Sequence, residues 1–94
     1  MDVVEAVSTA KRHIVKVFED EKISNLGLEE AFFDENQNVW HITLGFSRPW
    51  DNLLPQSALQ AALTQTSAEL KRLYKTVEIY EKDNKVLSVK NYKT

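Results

Sequence analysis

With 94 residues, 43% of them apolar and 28% charged, the chain carries enough hydrophobic mass for one compact core and too little for two, so a single domain spanning 1–94 is expected. The absence of cysteine excludes disulfides, thiolate metal sites and cysteine nucleophiles. A net charge of −2 speaks against nucleic acid as a partner, because phosphate neutralisation needs clustered Lys and Arg.

That charge is unevenly spread. Residues 1–47 hold four Lys or Arg against nine Asp or Glu, and residues 48–94 hold eight against five. Ordinary solvated faces account for such a split, and so does association between the complementary halves of two copies. No stretch approaches the roughly 18–20 apolar residues of a membrane span, and Met1 to Glu5 lacks the basic-then-apolar pattern of a secretion signal. The sequence therefore reads as a soluble, cytoplasmic protein with no membrane partner.

The first element is a helix. Val3, Val7, Ala10, Ile14, Val17 and Phe18 recur at steps that place them on one stripe, with Lys11, Arg12, Lys16 and Glu19 facing away. Asp2 suits the N-cap, and Glu5 three residues later completes a capping-box pattern. The acidic run Glu19-Asp20-Glu21 falls at the negative end of the helix dipole, so the helix should stop near residue 20 or 21.

Two hairpins follow. Leu26 to Phe33 is expected as the first strand, with Leu28 and Phe32 on one face and Glu29, Ala31 and Phe33 on the other; Gly27 offers a place for a bulge. In the second strand Trp40, Ile42, Leu44 and Phe46 alternate with His41, Thr43, Gly45 and Ser47, which sends four large apolar groups to one side. Arg48-Pro49 ends it, because proline cannot donate to a ladder. Residues 50–68 read as an apolar connection or a short helix around Leu59, Ala62 and Leu63. Residues 69–81 give the third strand, with Leu73, Val77 and Ile79 opposite in parity to Tyr74, Thr76 and Tyr80. The fourth runs from Val86 to Tyr92 with Leu87 and Val89 inward. The expected fold class is α+β: an N-terminal helix on a four-stranded antiparallel sheet made of two hairpins.

Catalytic chemistry is sparse in this pattern. His13 and His41 lie in different elements, and no second His or spaced carboxylate completes a zinc motif. The carboxylates cluster as neighbours on strands or in turns, where they diverge or stay solvated. Two glycines are too few for a phosphate loop, and no serine sits in a Gly-x-Ser-x-Gly elbow. The residues point to no enzyme, no cofactor and no metal. Arg48-Pro49-Trp50 instead combines a planar cation, a fixed φ and a large ring, in the kind of segment that carries binding residues. His41, Tyr74 and Tyr80, with Tyr92, are expected on the sheet face away from the helix. The candidate partner-binding set is thus Arg48, Trp50, His41, Tyr74 and Tyr80.

The closing hairpin, Tyr74-Lys75-Thr76-Val77-Glu78-Ile79-Tyr80 followed by Asn84-Lys85-Val86-Leu87-Ser88-Val89-Lys90, resembles that of PepSY domains, and Trp40 to Phe46 after a leading helix is similar to that family's first hairpin. Asn84 stands where the family usually has glycine. The resemblance implies a cystatin-like helix-on-sheet module that binds or restrains peptidases, with no catalytic residues to carry over. The leading functional expectation is a non-catalytic protein-binding module of inhibitory or immunity type. Two alternatives stay open: a small-ligand-binding or enzymatic domain with a cavity between helix and sheet, and a self-associating structural subunit.

Overall fold

The computed structural model describes residues 1–49 and 72–92. Within them helix α1 (Val3–Val17) precedes a short 3₁₀ turn (Glu19–Glu21) and four strands, β1 (Ser24–Asp34), β2 (Val39–Ser47), β3 (Leu73–Tyr80) and β4 (Lys85–Asn91). The strands pair antiparallel in the order β1-β2-β3-β4, and the helix covers one face. This is the α+β arrangement expected from the sequence. The expected short helix or loop at 50–68, Trp50 within it and the start of the third strand at 69–71 lie outside the described residues.

The helix begins where its caps dictate. Asp2 Oδ1 accepts a hydrogen bond from the Glu5 backbone N–H at 2.8 Å, satisfying one of the donors that a first turn leaves open. The α-helix stops at Val17, a turn earlier than expected, and the three acidic residues after it form the 3₁₀ turn instead. Lys22 then adopts a left-handed conformation, with φ 48°, and turns the chain into β1.

The core is narrow. Ala6, Ala10 and Ile14 are fully buried against Ile42, Leu44, Phe46, Val77 and Ile79, with Val7, Phe18, Leu26, Ala31, Trp40, Leu73, Val86 and Val89 packed around them. The ridge that meets the sheet is Ala6-Ala10-Ile14-Phe18, spaced by four. Val3 and Val17, expected on the buried stripe, are 45% and 52% exposed, because a single helix on a sheet buries one ridge and leaves its flanks open. Two alanines on that ridge let the helix axis come close to β2. At the far end of the core, the Phe18 and Phe46 rings meet at 5.0 Å.

The edge strands depart from the simple alternation. In β1, Leu28 pairs with Leu44 but Glu30 pairs with Thr43, so Glu29 is an extra residue and a second irregularity lies between Ser24 and Gly27. A bulge shifts side-chain parity by one. Leu28 and Phe32, expected on one face, therefore part: Ala31 and Phe33 join the helix side opposite Ile42 and Trp40, and Phe32 goes to the other side opposite His41. In β4 a bulge between the pairs Glu78–Ser88 and Ile79–Val86 leaves Leu87, expected inward, 51% exposed, and places Val86 and Val89 inward instead.

The two hairpin loops share one solution. Each has four residues between its strands and ends in an asparagine at positive φ, Asn38 at 56° and Asn84 at 58°. Asparagine tolerates the left-handed region that other side chains avoid, which is how Asn84 does the work that glycine does elsewhere. Asp34 Oδ1 accepts from the Asn36 and Gln37 N–H groups at 3.0 and 3.3 Å, and Asp83 Oδ1 accepts from Lys85 N–H at 3.1 Å. The loops also touch, since Glu81 N–H donates to the Asn38 carbonyl at 2.9 Å. Next to them the Met1 amino group donates to Glu81 Oε1 at 2.7 Å and the Trp40 indole N–H donates to Glu81 Oε2. Both hydrogen bonds hold the Glu81 carboxyl below the usual carboxylate range.

Ile42 and Leu44 are fully buried at the centre of this layer, so replacing either with alanine should cost about 2–5 kcal/mol in urea unfolding. Asn84→Gly is expected to leave stability unchanged or slightly raised. Asn84→Val should lower it by about 1–2 kcal/mol, because a side chain branched at the β-carbon meets the backbone in the left-handed conformation that asparagine's short polar group tolerates.

Candidate functional site

Strand pairing sorts the sequence candidates by face. His41, Tyr74 and Tyr80 all lie on the side of the sheet away from the helix, hereafter the outer face, because their cross-strand partners Glu78, Gly45 and Val39 share that parity. Arg48 does not join them. It follows β2 on the helix side, where its Nη1 donates to Glu21 Oε1 at 3.0 Å and ties the strand end to the 3₁₀ turn. Tyr74 and Tyr80 sit at opposite ends of β3, about 20 Å apart at the usual rise per residue, so the outer face is a strip with His41 between them.

Three rows of side chains cross this face. The first runs Phe32–His41–Glu78–Ser88. The Phe32 and His41 rings stack with centroids 4.5 Å apart and planes within 4°. His41 Nδ1 is 3.5 Å from Glu78 Oε2, and Glu78 Oε1 accepts from Lys90 Nζ at 2.8 Å and from the Ser88 hydroxyl. The second row is Glu30–Thr43–Thr76–Lys90, with the two threonine hydroxyls 2.9 Å apart. The third is Asp34–Val39–Tyr80–Lys85.

Toward the start of β3 the face opens. Gly45 has no side chain to fill the space above β2: a β-carbon there would stand 2.8 Å from Arg72 Nη2, 2.9 Å from Tyr74 Cε1 and 3.1 Å from Glu29 Oε1. The glycine thus admits the Tyr74 ring and the Arg72–Glu29 ion pair, 3.7 Å long, across the strand. Tyr74 and Tyr92 lie with rings 6.5 Å apart and, with Glu29 and Glu30, line a shallow concavity of about 290 Å³.

The electrostatics centre on Glu78. Hydrogen bonds from Lys90 and then Ser88, helped by the positive charge of Lys90, hold its carboxyl below the usual carboxylate range despite some desolvation. Such a carboxylate is a weak proton acceptor, and two of its partners are other side chains of the same face. Among the described residues no group of three or more His, Asp or Glu is placed to hold a metal ion, and no helix is long and apolar enough to cross a membrane.

Glu78 was legible on this face by parity with Tyr74 and Tyr80, and Ser88 and Lys90 by alternation with the inward Val89, but which of them stands opposite Glu78 is set by the β4 bulge. Phe32 was hidden by the β1 bulge, which moves it to the outer face. No family model, curated protein or solved structure matches the chain.

The depressed pKa of Glu78 gives a signed prediction. Its ionic contacts contribute to stability at neutral pH, and that contribution is lost as pH falls from the ordinary glutamate range, about 4.3, through the lower value of the folded protein. Glu78→Gln should therefore flatten the acid limb of a melting-temperature profile. A residual slope from Glu81, which is depressed as well, should remain; an unchanged limb in Glu78→Gln would contradict the assignment.

Proposed function

We propose that the chain is a small protein-binding module that works through the outer face of its sheet, binding a partner rather than transforming a substrate. The observation that supports this most directly is the composition of that face. Phe32, 49% exposed, and Tyr92, 36% exposed, flank a strip that also carries His41, Tyr74 and Tyr80, and the Glu78 carboxylate at its centre is already bound by Lys90 and Ser88. Aromatic rings on a rigid sheet lose little entropy on contact and dominate protein interfaces. The internal hydrogen bonds hold the polar groups in fixed positions around them.

An inhibitory or immunity-type role fits the same surface, since blocking a partner requires contact area and no chemistry. The PepSY-like order of helix and hairpins extends the proposal to a cystatin-like module whose partner is a peptidase. The concavity beside Tyr74 and Tyr92 favours a second reading, a small-ligand site on the same face.

Partner capture tests both. Photo-crosslinking from position 92 should label one protein in competition with unlabelled chain, and Phe32→Ala and Tyr74→Ala should each weaken that complex at least about tenfold. Val15→Ala, on the exposed side of the helix, should leave it intact. Equal retention by all three variants would remove the outer face as the contact. A saturable rise in melting temperature with one small compound, abolished by Tyr74→Ala, would move the assignment to the second reading.

A further inference from the structure

The outer-face rows end in opposite charges. Glu30 and Asp34 stand on β1, one edge of the sheet, and the same rows finish at Lys90 and Lys85 on β4, the other edge. On β1 the two carboxylates are four residues apart, and on β4 the two lysines are five apart; the extra residue at Leu87 is the bulge, so both pairs span the same number of rows. We propose that the chain associates with further copies of itself edge to edge, β4 of one copy lying along β1 of the next, in the register that sets Lys90 opposite Glu30 and Lys85 opposite Asp34.

Strand direction permits this, with each copy turned relative to the last by the accumulated twist of the sheet. With every neighbouring pair antiparallel, β1 and β4 run in opposite senses, so a copy displaced across the sheet presents β4 antiparallel to β1 and continues the ladder. Four strands occupy about 19 Å in that direction. A helix is about 10 Å across, so the helices of successive copies clear one another. Opposite charges directly across a strand pair are favourable and like charges unfavourable.

A second feature lies on the helix side of the same β1 edge. Val3, Val4, Val7 and Leu28 line an apolar groove of about 240 Å³, and the incoming β4 brings Val86 and Val89 to that side of the sheet. Bulges on both edges and lysines on β4 reject strands of arbitrary sequence; they admit a strand whose lysines meet the carboxylates in register. Because the contact joins two different surfaces, it is heterologous, and assembly proceeds to open chains or a closed ring rather than stopping at a dimer. The contact shares side chains with the outer face, since Glu30 lines the concavity beside Tyr74 and Lys90 already pairs with Glu78 at 2.8 Å, but its occupant is a second copy of the chain, read from the oligomeric state rather than from partner capture.

Sedimentation velocity at low salt should show mass rising with concentration past the dimer, and high salt should reverse it by screening the exposed pairs. Glu30→Lys and Lys90→Glu, each checked for folding by circular dichroism, should each weaken association at least tenfold. An equimolar mixture of the two variants should restore it, as should the doubly exchanged chain. A wild-type chain that stays monomeric at every concentration, or association that survives both reversals, would overturn the proposal. Should Lys90→Glu fail to fold, the behaviour of Glu30→Lys alone and the salt dependence of the wild type decide it.

Discussion

The alternation of β2 is the constraint on which the rest of the domain rests. Ile42, Leu44 and Phe46 are fully buried on one side, and because β2 pairs with both β1 and β3, its parity decides which face of each neighbour is covered. A one-residue slip would send all three to the outer face and bring His41, Thr43 and Gly45 under the helix. With three large apolar groups at about 1.5–3 kcal/mol each, that alternative register is far out of reach. The helix answers this strip with a ridge of equal narrowness, and the alanines in it make the contact close rather than wide.

Narrowness has a consequence for the rest of the surface. One helix cannot cover four strands, so burial falls from β2 and β3, which hold the sheet's fully buried core residues, to β1 and β4, which hold none. The edges are also where the bulges occur. An extra residue at the centre would throw core side chains outward. At an edge it moves only partly buried groups, and it re-aims side chains such as Phe32 toward a surface where they meet His41.

That gradient explains what could be read from the residues alone. β2 and β3 are pinned on both sides, and their faces follow from strict alternation: Trp40, Ile42, Leu44 and Phe46, then Leu73, Val77 and Ile79, all fall where period two puts them. The helix and its Asp2 cap are legible for the same reason, a strong local pattern consistent with its packing. β1 and β4 are not, because a bulge is a tertiary compromise between a strand and its one partner. Nothing in Leu28-Glu29-Glu30 or Val86-Leu87-Ser88 announces which residue is surplus. Of the binding candidates, His41, Tyr74 and Tyr80 were legible as members of one face by parity. Arg48 was read as part of a binding loop, and its ion pair with Glu21 depends on the 3₁₀ turn formed by a distant acidic run that local pattern does not specify.

The bulges then connect edge, face and charge. Without the surplus residue in β4, Lys85 and Lys90 would fall on opposite faces of the sheet, since five is an odd number of steps. With it, both lie on the outer face, as do Glu30 and Asp34, separated by an even four. The uneven charge of the two halves of the sequence thus becomes a geometric property: acid on one edge, base on the other, on the same face and at the same rows. A device that blunts an edge against arbitrary strands is, in this arrangement, also what aligns its charges: a single extra residue puts Lys85 and Lys90 on one face, at the rows that Asp34 and Glu30 occupy.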